Sequence, residues 1–98
     1  MSAGEVNAGK VLIVDDDRAV RDMLVEYLTT HGYEVVQADG GAAMRTELER
    51  GVPEVVLLDI GLPGEDGLSL ARYLRERYDL GIIMVTGAGE VVDRIVGL

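Results

Sequence analysis

Short apolar runs alternate along this chain with longer segments whose apolar residues recur at helical spacing. Val11-Leu12-Ile13-Val14, Val55-Val56-Leu57-Leu58 and Ile82-Ile83-Met84-Val85 are rich in β-branched residues and bounded by polar or turn-forming residues. Runs of this length and composition predict interior strands of a parallel sheet, apolar on both faces. Tyr33 to Ala38 alternates in part and predicts a further strand.

Between them the period changes. Asp17 through Thr30 predicts a helix with Val20, Met23, Leu24, Tyr27 and Leu28 on its inner stripe. Asp16 or Asp17 can cap its start, and His31-Gly32 is a stop signal with Gly in the left-handed position. Gly40 to Arg50 predicts a second helix with a narrow stripe of Ala42, Ala43, Met44 and Leu48, closed by Gly51. Leu68 to about Tyr78 predicts a third, capped by Asp66, with Leu70, Ala71 and Leu74 inward. Glu90 to Leu98 predicts the start of a fourth, with Val91, Val92, Ile95 and Val96 apolar. Strict alternation with short connections predicts the α/β class: a doubly wound parallel sheet with right-handed crossovers. Met1 to Gly9 predicts a disordered lead, and 10–98 a single domain.

Composition narrows the function. With 98 residues the chain is at most one domain. Lacking Phe and Trp, it must fill its core with aliphatic residues, which its 48% hydrophobic content allows. The absence of Cys leaves no disulfide framework and no thiolate metal site, which fits a reducing cytoplasm. The first ten residues carry no apolar signal-peptide segment, and no apolar run approaches the roughly 20 residues that cross a bilayer. A net charge of −9 excludes polyphosphate binding through this segment and suits a cation or a basic protein surface.

The candidate chemistry sits where two strands end. Asp15 and Asp16 close the first apolar run and Asp59 closes the third. Adjacent parallel strands would deliver all three carboxylates to the carboxyl edge of the sheet, where ligands of open α/β sheets bind. Such carboxylates repel one another unless a cation sits among them, which predicts a Mg²⁺ site around one reactive aspartate. Other charged and flexible residues have plainer readings. Asp17 reads as a cap, Arg21 as a surface or helix-pairing residue, and His31 as a helix-terminus residue. Glu65 and Asp66 read as exposed or capping, and Gly87-Ala88-Gly89 as a hinge, since no Lys follows to make a phosphate cradle.

The stretch Val11 to Asp17 with Arg21, the stretch Val55 to Gly67, and Ile82 to Thr86 together resemble the receiver domain of two-component response regulators. The loop from Leu62 to Leu70 and the segment Glu90 to Leu98 resemble the OmpR/PhoB-type subgroup. The resemblance implies a flavodoxin-like sheet and Asp59 as phosphoacceptor, supplied by a sensor histidine kinase. It implies Mg²⁺ held directly by Asp16, through water by Asp15, by one oxygen of Asp59 and by the Gly61 carbonyl. It implies that the Thr86 hydroxyl binds a phosphoryl oxygen as a switch. Winged-helix regulators of this kind contact DNA through a further C-terminal domain.

Family members continue into a fifth strand ending in Lys and a fifth helix, which this chain, stopping at Leu98, does not contain. It is therefore expected to be a C-terminally incomplete receiver domain with strand order 2-1-3-4. Its fourth strand is then an open edge, through which, or by exchange of the fourth helix, self-association is expected. Two competing functions are an enzyme with an aspartyl-phosphate intermediate and a receiver-like interaction module with an impaired site. The enzyme is disfavoured because Ile60, Gly61 and Leu62, just beyond Asp59, offer no acid/base group.

Overall fold

A strand that is apolar on both faces must be covered on both, and right-handed crossovers supply the cover. The structure is a computed structural model describing residues 9–62 and 66–85, and the backbone of 91–95. Its elements are β1 (Lys10–Val14), α1 (Arg18–Thr30), β2 (Glu34–Ala38), α2 (Gly41–Arg50), β3 (Val55–Asp59), α3 (Gly67–Arg77), β4 (Gly81–Val85) and β5 (Val91–Ile95). The sheet order is β2-β1-β3-β4-β5, and its first four strands are parallel. That is the 2-1-3-4 arrangement of the flavodoxin-like fold.

β1 and β3 are central, so their runs are buried: Leu12, Val14, Val56 and Leu58 have no solvent exposure. On one face these four, with Ile82 and Met84 of β4, meet Met44 and Leu48 of α2 and Leu70, Ala71 and Leu74 of α3. Because β2 and β3 flank β1 on opposite sides, α1 lies on the other face from α2, packed against β1 and β2.

The α1 stripe is narrower than its sequence predicts. Val20, Leu24 and Leu28 are half-buried, but Met23 and Tyr27 are 60% and 61% exposed, and α1 has no buried residue. Arg21 reaches Gln37 of β2, so the opposite row of Met23 and Tyr27 turns toward the β3 side. Among the described residues no second helix stands there to cover them, and Tyr27 pairs instead with the His31 ring at 4.4 Å.

The helix ends follow their sequence signals. Asp17 Oδ1 accepts from the Ala19 and Val20 N–H groups at 2.9 and 3.4 Å. At the other end Gly32 adopts φ +92°, while its N–H bonds Thr29 O at 3.0 Å and Tyr33 N–H bonds Leu28 O at 3.1 Å. This is a Schellman closure. Asp17→Ala should lower stability by about 1 kcal/mol, read as a lower urea midpoint at unchanged slope.

The C-terminal segment corrects the sequence reading. Instead of a helix from Glu90, the backbone is extended over Val91–Ile95 and pairs antiparallel with β4, Val91 opposite Val85 and Val92 opposite Met84. An antiparallel strand therefore stands where the sequence predicts the start of a fourth helix. A short helix makes few hydrogen bonds for the residues it orders, whereas an extended Val91–Ile95 pairs with Ile83, Met84 and Val85 of β4, with an irregularity between Ile83 and Met84. β4 is bonded on both sides, by β3 and β5, so self-association through its open edge or through a fourth helix loses its ground.

Candidate functional site

Val14 of β1 stands opposite Leu58 of β3, so the next residues, Asp15 and Asp59, leave the sheet side by side. Hydrogen bonds fix both exits. Asp15 N–H donates to Ala38 O of β2 at 3.1 Å, and Ile60 N–H to Val85 O of β4 at 2.9 Å. One carboxylate oxygen from each of Asp15, Asp16 and Asp59 lies within 4.8 Å of the others. The three candidate carboxylates are thus brought together, Asp15 and Asp59 buried at 7% and 6% exposure, Asp16 exposed.

Among the described residues each buried carboxylate is held by one oxygen. Asp15 Oδ1 accepts from Asp17 N–H at 2.9 Å, and Asp59 Oδ1 from Gly61 N–H at 3.0 Å. The turn two residues on thereby orients each side chain and leaves its second oxygen for another partner. Repulsion between the two buried charges is on the order of 3 kcal/mol at an effective dielectric of about 20. Burial, chiefly, pushes the Asp15 carboxyl above its ordinary value of 3.8; the Asp17 N–H pulls it down, and the charges of Asp59, Asp16 and Asp17 push it further up.

The sign of this shift has a consequence. A carboxyl whose folded pKa is raised favours folding fully below its unfolded value, and that contribution is lost as pH rises through the folded pKa. In chelator-treated protein Asp15→Asn should therefore raise the melting temperature at neutral pH. The gain should shrink as pH falls toward 3.8 in a pH series of melts.

An all-oxygen set of three converging carboxylates, two buried and one exposed, fits a hard cation such as Mg²⁺, which also takes water and phosphate ligands. Gly61 is adjacent, its N–H already committed to Asp59. Thr86 lies outside the described residues, as do Pro63 to Glu65 and the Gly87-Ala88-Gly89 segment. Asp66 caps α3, its Oδ1 accepting from Leu68 N–H at 3.1 Å.

Two contributors escaped the sequence reading. Arg21, read as a surface or helix-pairing residue, donates from Nη1 to Asp15 O at 2.7 Å and from Nε to Gln37 Oε1 at 3.0 Å. Its place four residues after the Asp17 cap, hence one turn above the carboxylate loop, is the signal that could have found it. Gly67 lets α3 begin against the exit of β3: a Cβ there would stand 2.6 Å from Asp59 O and 2.7 Å from Ile60 Cα.

Comparison with known proteins agrees with this geometry. The response regulator receiver domain family matches residues 11–98. The transcriptional regulatory protein AruR of Pseudomonas aeruginosa is 48% identical over 95 residues, 91% of this chain and 38% of that protein. The crystal structure of the receiver domain of TorR, a response regulator of the TMAO respiratory system, superposes with a TM-score of 0.76 at 43% identity, covering 90% of this chain and 73% of that one. Response regulator TrrA of Thermotoga maritima, solved in complex with Mg²⁺-BeF, gives a TM-score of 0.73 at 36% identity, covering 79% of this chain and 68% of that one. The chain spans well under half the length of the curated relatives it matches.

Proposed function

Because the chain belongs to the receiver domain family of two-component response regulators, with relatives of the OmpR/PhoB type, we propose that it accepts a phosphoryl group on Asp59 from a sensor histidine kinase. The observation that carries this reading is the meeting of Asp15, Asp16 and Asp59 at the tips of neighbouring parallel strands. Asp15, Asp16 and Asp59, with the Gly61 carbonyl, would hold Mg²⁺. When bound, the cation supplies positive charge to the phosphoryl oxygens, where the charge of a loose transition state gathers.

Asp59 does the covalent work. Its Oδ1 is occupied by the Gly61 N–H, which fixes the carboxylate plane and leaves the other oxygen as nucleophile. A lone pair of that oxygen forms the O–P bond while the P–N bond to the kinase imidazole breaks, the nitrogen keeping the electron pair. Asp59 is paired in register with Val85, and the resemblance assigns to Thr86, next in the sequence, the hydroxyl that senses the phosphoryl oxygens. Ile60, Gly61 and Leu62 supply no acid or base to drive hydrolysis, so the domain is a phosphoacceptor rather than a turnover enzyme.

Residues 10–98 form this receiver unit, preceded by a lead over residues 1–9. In the parent protein the signal passes to a winged-helix domain that contacts DNA. Among the described residues no helix is long and apolar enough to cross a membrane, in keeping with a cytoplasmic module.

Incubation with a small phosphodonor and Mg²⁺, followed by intact-mass measurement and peptide mapping, tests the reading. One phosphoryl adduct on Asp59 that requires Mg²⁺ is the expected result. No adduct would favour a receiver-like interaction module with an impaired site, and continuous release of phosphate would favour an enzyme.

A further inference from the structure

We infer that Arg21 is a positioning residue of the acidic site, acting through the backbone of Asp15 rather than through contact with the cation. The inference rests on the cation reading above. One planar guanidinium spans two anchor points, the Asp15 carbonyl at 2.7 Å and the Gln37 amide oxygen at 3.0 Å. The first is the carbonyl at the mouth of β1, immediately before Asp16. The second lies next to Ala38, whose own carbonyl takes the Asp15 N–H.

The Asp15 peptide is therefore gripped on both sides, by β2 backbone and by a side chain braced on β2. The bond to the carbonyl is short and charge-assisted. Helix α1 packs through half-buried side chains, and its first turns meet the carboxylate loop through the Asp17 cap and Arg21. Mg²⁺ demands near-octahedral oxygens at defined distances, and loosening the β1 tip degrades that arrangement.

Charge and geometry make opposite predictions here. Arg21 contributes positive charge close to three carboxylates, so deleting it for charge reasons alone would tighten cation binding. Deleting a positioning group weakens it. In full-length protein, Arg21→Ala should weaken Mg²⁺ binding by about tenfold, the low end for residues that orient metal ligands. Gln37→Leu, which changes no charge and removes one anchor, should weaken it by about threefold, and Arg21→Lys, which reaches only one anchor, should fall between wild type and Arg21→Ala.

Isothermal titration calorimetry with MgCl₂ provides the measurement, at a temperature below the melting onset of every variant. Unchanged or tighter Mg²⁺ binding by folded Arg21→Ala would overturn the inference, whatever its melting temperature. Should Arg21→Ala fail to fold, Arg21→Lys and Gln37→Leu carry the same test, and wild-type affinity in both would overturn it. A wild-type chain that takes up no Mg²⁺ rejects the cation reading itself; wild-type binding with equal binding by the variants rejects only the role of Arg21.

Discussion

Asn in place of Asp59 will end phosphoryl uptake altogether and, in chelator, raise the melting temperature. The amide keeps the shape of the carboxyl and an oxygen that can still accept the Gly61 N–H, so the turn at the end of β3 survives. What disappears is the anionic nucleophile, because the amide oxygen is neutral and the nitrogen lone pair is delocalised. With it disappears one of the charges crowding Asp15, whose carboxyl Asp59 helps to push upward. Relief of about 1 kcal/mol would raise the melting temperature of a domain this size by roughly 4–8 °C. Intact-mass measurement with phosphodonor and Mg²⁺ checks the first part, and thermal melts with chelator the second. An adduct retained by the Asn variant would move the acceptor elsewhere. A melting temperature at or below wild type would mean that the carboxylates do not strain the fold.

Gly67→Ala should destabilise the chain and weaken its hold on Mg²⁺ together. A methyl group here meets Asp59 O at 2.6 Å and Ile60 Cα at 2.7 Å, both backbone atoms that cannot rotate aside. The Gly67 N–H also donates to Ile60 O, so the first turn of α3 is tied to the chain leaving β3. Overpacking of this kind costs about 1–3 kcal/mol, against a gain of roughly 1 kcal/mol from the better helix propensity of Ala. The net effect is a loss, and the start of α3 must withdraw, drawing the Asp59 peptide out of register with Asp15. Urea unfolding and calorimetric Mg²⁺ titration together check this. Normal Mg²⁺ affinity alongside lowered stability would show that the acceptor is indifferent to the start of α3.

The strands and helices up to β4 were legible because each carries its own signal. Val11 to Val14 are apolar throughout because both faces of β1 are covered, Val56 and Leu58 face the core from β3 while Val55 and Leu57 are half-buried, and Asp17, Asp66 and Gly32 mark helix ends by local hydrogen bonding. The meeting of Asp15 and Asp59 was legible because residues that end neighbouring parallel strands must share an edge. Contacts set by distant packing were not legible. The sequence pattern of α1 does not reveal that Met23 and Tyr27 stay exposed, with no helix among the described residues covering them. Nor does Val91-Val92-Asp93-Arg94-Ile95 announce a strand, since its apolar spacing suits a helix as well, and the unpaired edge of β4 decides the outcome. Nothing in the sequence singles out Gly67, because the atoms that forbid a side chain belong to β3 and its exit.

Helix α1 packs through half-buried side chains, whereas β1 is buried on both faces. Opening it exposes little apolar area, so its amides exchange with solvent through small local excursions instead of whole-molecule unfolding. Arg21 travels with that helix. Each such excursion would unhook the guanidinium from the Asp15 carbonyl, so the breathing of a peripheral helix would time the readiness of the acidic pocket.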